Sequence, residues 1–248
     1  MPASPASILI VDDDADTCRN LSDILGDLGY RIGTAPDGPA ALEMIRAQPY
    51  DIALLDFKMP GMNGLELYRA IKRERPETVA IVVSAYTDPA TRTEALGVGA
   101  AEVLTKPVDF PLLLGLIERA IGQPLVLVVD DDPDLCLSLW DILREQGYRV
   151  GLAHDGHSAA EHLRSRQFKV VLIDMRLPDG NGVAVAREVR EENPEARTII
   201  ITGYREELNQ LVRQAVDEGA DAVCYKPFDV PILLKTLEKL AGKPDEPT

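Results

Sequence analysis

Ile8-Leu9-Ile10-Val11-Asp12-Asp13-Asp14 stands near the start of the chain, and Val126-Leu127-Val128-Val129-Asp130-Asp131-Asp132 repeats it 118 residues later. A short continuous apolar run is the pattern of a strand buried on both faces, as in a parallel sheet. The acids that follow mark where that strand leaves the core. The same offset relates Gly29-Tyr30-Arg31 to Gly147-Tyr148-Arg149, Leu55-Asp56 to Ile173-Asp174, and Ser84-Ala85-Tyr86 to Thr202-Gly203-Tyr204. Lys106-Pro107 and Lys226-Pro227 are offset by 120, so the second copy gains two residues, expected just before its last strand. Two long copies make a domain duplication, not a solenoid. The expected division is 1–122 and 123–248, with Pro124 in a linker short enough to restrict the arrangement of the two domains.

Within each copy, strand and helix patterns alternate. After the first strand, Leu21, Ile24, Leu25 and Leu28 recur at helical spacing and Gly29 ends the helix. The pattern then predicts strand Arg31–Ala35, helix Pro39–Ala47, strand Ile52–Leu55 and helix Gly64–Arg73. Strand Val79–Val83, a helix near Thr91–Leu96, strand Glu102–Thr105 and helix Phe110–Ile121 complete the copy. Five strands alternating with five helices imply an α/β fold, a parallel sheet covered on both faces. Right-handed crossovers make it doubly wound. In the last helices, Leu112, Leu113, Leu116 and Ile117, and likewise Leu233, Thr236, Leu237 and Leu240, supply a core face, and any face left over is a docking surface for an effector or a second copy.

Composition narrows the function. Hydrophobic residues make up 46% of the chain, enough for a core in each half, yet no apolar run approaches the roughly 18 residues of a membrane span. The segment Met1–Ser7 lacks the basic and apolar regions of a secretory signal, which predicts a cytoplasmic protein without membrane contact. A net charge of −15 argues against direct nucleic-acid binding and favours divalent cations where carboxylates converge. Three cysteines (Cys18, Cys136, Cys224) make no disulfide framework, and read as small, partly buried side chains.

The chemistry-bearing residues fall at strand ends: Asp12 and Asp13 after the first, Asp56 after the third, Ser84 after the fourth, Lys106 after the fifth. The second copy places Asp130, Asp131, Asp174, Thr202 and Lys226 likewise. Open parallel sheets bind ligands outside these carboxyl ends, at the switch in strand order. Three crowded carboxylates repel one another, and a hard cation such as Mg²⁺, which takes oxygen ligands, relieves the repulsion. With the cation present, Asp56 can act as a carboxylate nucleophile and form an aspartyl-phosphate. Lys106 then neutralises charge on the phosphoryl group and the Ser84 hydroxyl donates a hydrogen bond to it.

Over essentially the whole chain, twice, these residues resemble the CheY-like receiver domain of two-component response regulators. The resemblance rests on the combination of the double Asp, Asp-x-x-x-Pro-x-x-x-Gly (Asp56, Pro60, Gly64; Asp174, Pro178, Gly182), the hydroxyl residue and Lys-Pro. It implies two flavodoxin-like (βα)5 domains with strand order 2-1-3-4-5, and phosphoacceptors at Asp56 and Asp174. It also implies Asp13 and Asp131 as direct Mg²⁺ ligands, Asp12 and Asp130 acting through water, and the carbonyls of Lys58 and Arg176 completing the set. Lys106 and Lys226 would pair with the phosphoryl group ahead of cis peptides to Pro107 and Pro227. The donor would be a histidine kinase or phosphotransfer protein. The protein would be a switch, limited to its own phosphorylation and dephosphorylation, not a turnover enzyme.

The sequence departs from the family where many receivers carry an aromatic residue three positions before the lysine: Val103 and Val223 stand there. Tyr86 with Lys58, and Tyr204 with Arg176, are expected instead to tune the phosphate's lifetime. His154, His157 and His162 are expected on solvated surface far from the acidic pocket, and Trp140 packed or half-exposed on its helix. Alternatives are the regulatory front of a longer enzyme or transcription factor, such as a diguanylate cyclase or hybrid kinase, and an adaptor in which one receiver switches and the other only docks. A haloacid-dehalogenase-type phosphatase is disfavoured, because Asp56-Phe57-Lys58 and Asp174-Met175-Arg176 lack its Asp-x-Asp nucleophile motif.

Overall fold

In a computed structural model that describes residues 5–85, 89–203, 209–217 and 219–242, the chain separates into compact units at Met1–Gln123 and Pro124–Thr248. The first contains β1 (Ser7–Val11), α1 (Ala15–Asp27), β2 (Arg31–Ala35), α2 (Gly38–Ala47), β3 (Ile52–Asp56) and α3 (Gly64–Glu74). It continues with β4 (Val79–Ser84), α4 (Pro89–Gly97), β5 (Glu102–Thr105) and α5 (Phe110–Gly122). Its sheet is parallel, with order β2-β1-β3-β4-β5.

The second unit repeats this with β6 (Leu125–Val129), α6 (Pro133–Glu145), β7 (Arg149–Ala153), α7 (Gly156–Ser165) and β8 (Val170–Asp174). A two-residue hairpin pair, β9 (Arg176–Leu177) and β10 (Gly180–Asn181), precedes α8 (Gly182–Glu192), β11 (Arg197–Gly203), α9 (Asn209–Asp217), β12 (Ala222–Lys226) and α10 (Val230–Ala241). The main sheet runs β7-β6-β8-β11-β12, also parallel, and the hairpin is antiparallel. This is the expected flavodoxin-like architecture in both halves.

Strand alternation divides each core in two. Ile8 and Ile10 pack on one side with Leu21 and Leu25 of α1 and Leu113 and Ile117 of α5. Leu9 and Val11 pack on the other with Ala41 and Ile45 of α2 and Leu65 and Ile71 of α3. Every residue of β1 is buried, so the polar residues just after it are the first that can meet solvent. Asp14 and Asp132 cap α1 and α6, accepting the Asp16 and Asp134 amides, so the acid run also starts a helix.

Three expectations need correction. In α1 the buried stripe is Cys18, Leu21 and Leu25, whereas Ile24 and Leu28 are exposed: a helix against a sheet buries one narrow stripe, and neighbours on the wheel turn outward. Leu112 is exposed for the same reason, beside buried Leu113, Leu116 and Ile117. The two-residue gain falls earlier than expected, since α9 begins at 209 where α4 begins at 89, which places it between β11 and α9. Trp140 takes the packed of its two expected places, at 3% exposure, with the Arg144 guanidinium over its ring. Among the described residues, no helix is long and apolar enough to cross a membrane.

Candidate functional site

The parallel register brings distant acids together. Val11 pairs with Leu55, so Asp12 and Asp56 leave neighbouring strands side by side, and Asp56 itself pairs with Val83, one residue before Ser84. Lys106 follows β5, and its amide donates to the Ser84 carbonyl at 2.9 Å. Its side chain then reaches back across the strand ends: Nζ lies 2.8 Å from Asp12 Oδ2 and 2.7 Å from Asp56 Oδ1. The second half reproduces this, with Lys226 Nζ 2.6 Å from Asp130 Oδ2 and 2.9 Å from Asp174 Oδ1. The Lys106-Pro107 and Lys226-Pro227 peptides are cis, as expected.

The other carboxylate oxygens are held by backbone. Asp56 Oδ2 accepts the Lys58 amide at 3.0 Å, and Asp174 Oδ2 accepts the Arg176 amide at 2.7 Å. Asp12 Oδ1 accepts from Asp14, and Asp130 Oδ1 from Asp132. Gly64 and Gly182 explain the glycine at the end of the Asp-x-x-x-Pro-x-x-x-Gly motif. A Cβ on Gly64 would sit 2.4 Å from the Asp56 carbonyl oxygen, and one on Gly182 would sit 2.5 Å from that of Asp174. Only glycine lets the following helix start this close to the acid-bearing strand.

Burial sets the electrostatics. Asp12, Asp56, Asp130 and Asp174 are buried, whereas Asp13 and Asp131 are exposed. Burial pushes the Asp56 carboxyl above its usual range, against the opposing pull of the Lys106 hydrogen bond. Asp130 is raised for the same reason, against Lys226. Burial alone would lower the Lys106 ammonium, but its hydrogen bonds to Asp12 and Asp56 outweigh this and hold it above its usual range; Lys226 behaves alike. In each pocket one acid and its lysine are therefore both displaced upward, Asp56 with Lys106 and Asp130 with Lys226.

Asp12, Asp13 and Asp56 present ligand oxygens all within 4.8 Å of one another. This oxygen-only donor set suits a hard divalent cation. Among the described residues no other trio of metal-ligating side chains reaches that spacing, so Asp131 does not join Asp130 and Asp174 as Asp13 joins its partners. Ser84 and Thr202 are buried at the ends of their strands, each 1% exposed. Lys58 and Arg176 are exposed just beyond the acceptor aspartates. A cavity of about 520 Å³ reaches Asp12, Asp56 and Lys106 in the first half, walled by Leu21, Val108 and Phe110. Tyr86 and Tyr204 lie outside the described residues.

Some neighbours were not legible in the sequence. His154, expected far away, has Nδ1 3.2 Å from the Asp130 carbonyl oxygen. His162, expected on solvated surface, is buried and stacks edge-on against Phe168. His157 is exposed as expected, but its amide bonds Asp179 at 3.0 Å. The thiols of Cys18 and Cys136 donate to the carbonyls of Asp12 and Asp130 at 3.4 and 3.3 Å. Recurrence of cysteine at one position in both copies was the available signal for that contact; nothing local signalled the histidine contacts.

The response regulator receiver domain model matches residues 8–118 and again 126–238. A response regulator receiver protein of Anaeromyxobacter sp. (strain Fw109-5) is 34% identical over 232 residues, 94% of each chain. The transcriptional regulatory protein ZraR of Escherichia coli (strain K12) is 38% identical over 116 residues, which cover 47% of this chain and 26% of ZraR. A solved CheY-like receiver domain protein from Methanospirillum hungatei JF-1 is 26% identical, covering 49% of this chain and 96% of its own, with a TM-score of 0.47.

Proposed function

Since the chain belongs to the response regulator receiver family in both halves, we propose that Asp56 and Asp174 each accept a phosphoryl group from a phosphohistidine on a kinase or phosphotransfer partner. The observation that carries this reading is the double ion pair, in which one ammonium bridges the acceptor and a second buried acid: Lys106 to Asp56 and Asp12, Lys226 to Asp174 and Asp130.

An Asp56 carboxylate oxygen attacks phosphorus, forming an O–P bond. The P–N bond to the donor histidine breaks, and its electron pair stays on the imidazole nitrogen. Lys106 keeps Asp12 as partner and moves its second contact from the carboxylate to a phosphoryl oxygen. Ser84 donates its hydroxyl to another. Asp13 and Asp56, with Asp12 through water and the Lys58 carbonyl, would hold Mg²⁺, which when bound neutralises charge on the phosphoryl oxygens. Asp131, Asp174, Asp130 and the Arg176 carbonyl would do so in the second half, with Thr202 and Lys226 in the parallel roles. Hydrolysis of the aspartyl-phosphate by water returns the carboxylate. The first-half cavity supports entry of a donor to an otherwise buried acceptor. The exposed Leu112 and Ile232 on the last helices support an effector or second-copy surface there.

Incubation with Mg²⁺ and acetyl phosphate, followed by intact mass, tests the reading beside Asp56→Asn and Asp174→Asn. Two added phosphates, each lost with its own variant, are expected. One addition would mark the other half as a docking module. None, with a phosphorylated kinase also failing, would overturn the reading.

A further inference from the structure

The loop after each acceptor strand is latched to the helix that precedes that strand, in a different way in the two halves. In the first half the latch is apolar. Met62 lies on Gly38, the first residue of α2, so closely that a Cβ there would be 2.7 Å from its sulfur. In the second half Gly180 stands in the place of Met62 and Asp179 in the place of Gly61. Asp179 Oδ1 accepts the Gly156 amide at 2.9 Å and Oδ2 accepts the His157 amide at 3.0 Å. These are first-turn amides of α7, which the helix itself cannot satisfy, and they sit at the positive end of its dipole.

Asp179 occupies the turn of the hairpin whose strands carry Arg176 and Asn181 opposite each other. The base of that hairpin is closed by the Gly182 amide on the Met175 carbonyl at 3.2 Å. Its first strand holds the acceptor itself, through the Arg176 amide on Asp174 Oδ2 at 2.7 Å. The α7 entry also touches the opposite wall, through His154 on the Asp130 carbonyl at 3.2 Å. Pro36, which stands at the equivalent place in the first copy, has no side chain able to make that bond.

We propose that Asp179 is a positioning residue of the second site: by pinning the hairpin turn to α7, it fixes the Arg176 carbonyl and the Asp174 carboxylate in the places from which they meet a divalent cation. This rests on the reading of the second half as a cation-dependent phosphoacceptor. The second site is thus organised by a polar clamp where the first uses thioether packing. Removing the clamp loosens a cation ligand without touching any group that reacts.

The test is direct binding of Mn²⁺, followed by the electron paramagnetic resonance of the free ion, on the full chain carrying Asp13→Asn so that the remaining site reports the second half. Adding Asp179→Ala is expected to weaken that site about tenfold, the scale of lost outer-shell support. The pair Asp179→Gly with Gly180→Met writes the first half's latch into the second, and a Cβ built at Gly180 meets nothing within 4 Å. It is expected to restore the affinity, which a general loss of stability would not allow. Unchanged Mn²⁺ affinity in Asp179→Ala, or no recovery in the double variant, overturns the proposal. If the unsubstituted chain binds no Mn²⁺ in either half, the phosphoacceptor reading itself fails, and the proposal with it.

Discussion

Lys106 Nζ stands 2.7 Å from Asp56 Oδ1, so the proposed phosphoacceptor is already paired with the ammonium that, on that proposal, would hold its phosphoryl group. The second contact of the same ammonium, on Asp12 at 2.8 Å, would keep the lysine in place if the first were exchanged for a phosphoryl oxygen as proposed. A fixed charge needs no reorganisation as charge shifts in the transition state.

Lys106→Ala is therefore expected to slow phosphorylation of Asp56 by about a hundredfold, the scale of losing one preorganised donor. Asp174 in the same molecule, served by Lys226, is expected to react at its usual rate. Peptide-resolved mass spectrometry over time separates the two, and equal slowing at both sites would defeat the prediction.

Asp56→Asn is expected to raise the Tm of the metal-free protein at pH 7. Burial raises the Asp56 carboxyl in the folded state, so between its unfolded and folded values the native protein binds more protons than the unfolded chain. This group therefore favours folding less as pH rises through the folded value, and its ionised form costs stability at neutrality. Asparagine mimics the neutral acid, and Lys106 retains Asp12. The gain should vanish at a pH below both values; thermal unfolding at the two pH values checks both halves of the statement.

Gly64→Ala is expected to cost about 1–3 kcal/mol, the range for overpacking. The added methyl would meet the Asp56 carbonyl oxygen at 2.4 Å, and backbone cannot rotate away as a side chain could. Urea denaturation measures the loss, and a variant as stable as the parent would contradict the close approach.

Cys136 is buried, and burial pushes its thiol up to about 12. Since the thiolate is the reactive form, it is expected to resist iodoacetamide at pH 8 in the folded protein. Cys224, half-buried on β12, is expected to react first, and all three cysteines after denaturation. Mass spectrometry of the alkylated peptides gives the order.

Much of the site was legible because its parts are local. Val11-Asp12-Asp13 announces both a strand and its end, and the recurrence of Asp56 and Lys106 as Asp174 and Lys226 removes coincidence. Helix faces were less legible. Ile24 and Leu112 satisfy the apolar spacing yet face out, because spacing admits several adjacent stripes and only packing against the rest of the fold selects one.

By itself the sequence determined the duplication, the alternation of strand and helix, and the gathering of acids and lysine at the carboxyl ends of the strands. These follow from apolar runs and backbone rules that act within a few residues. Tertiary structure alone decided that His162 turns inward, that His154 meets the Asp130 carbonyl, and that Asp179 caps α7 where Met62 packs on α2. It alone also decided that Asp13 joins its trio at a spacing Asp131 does not reach. The His154 and Asp179 contacts join residues 24 and 23 positions apart, beyond the reach of any local pattern.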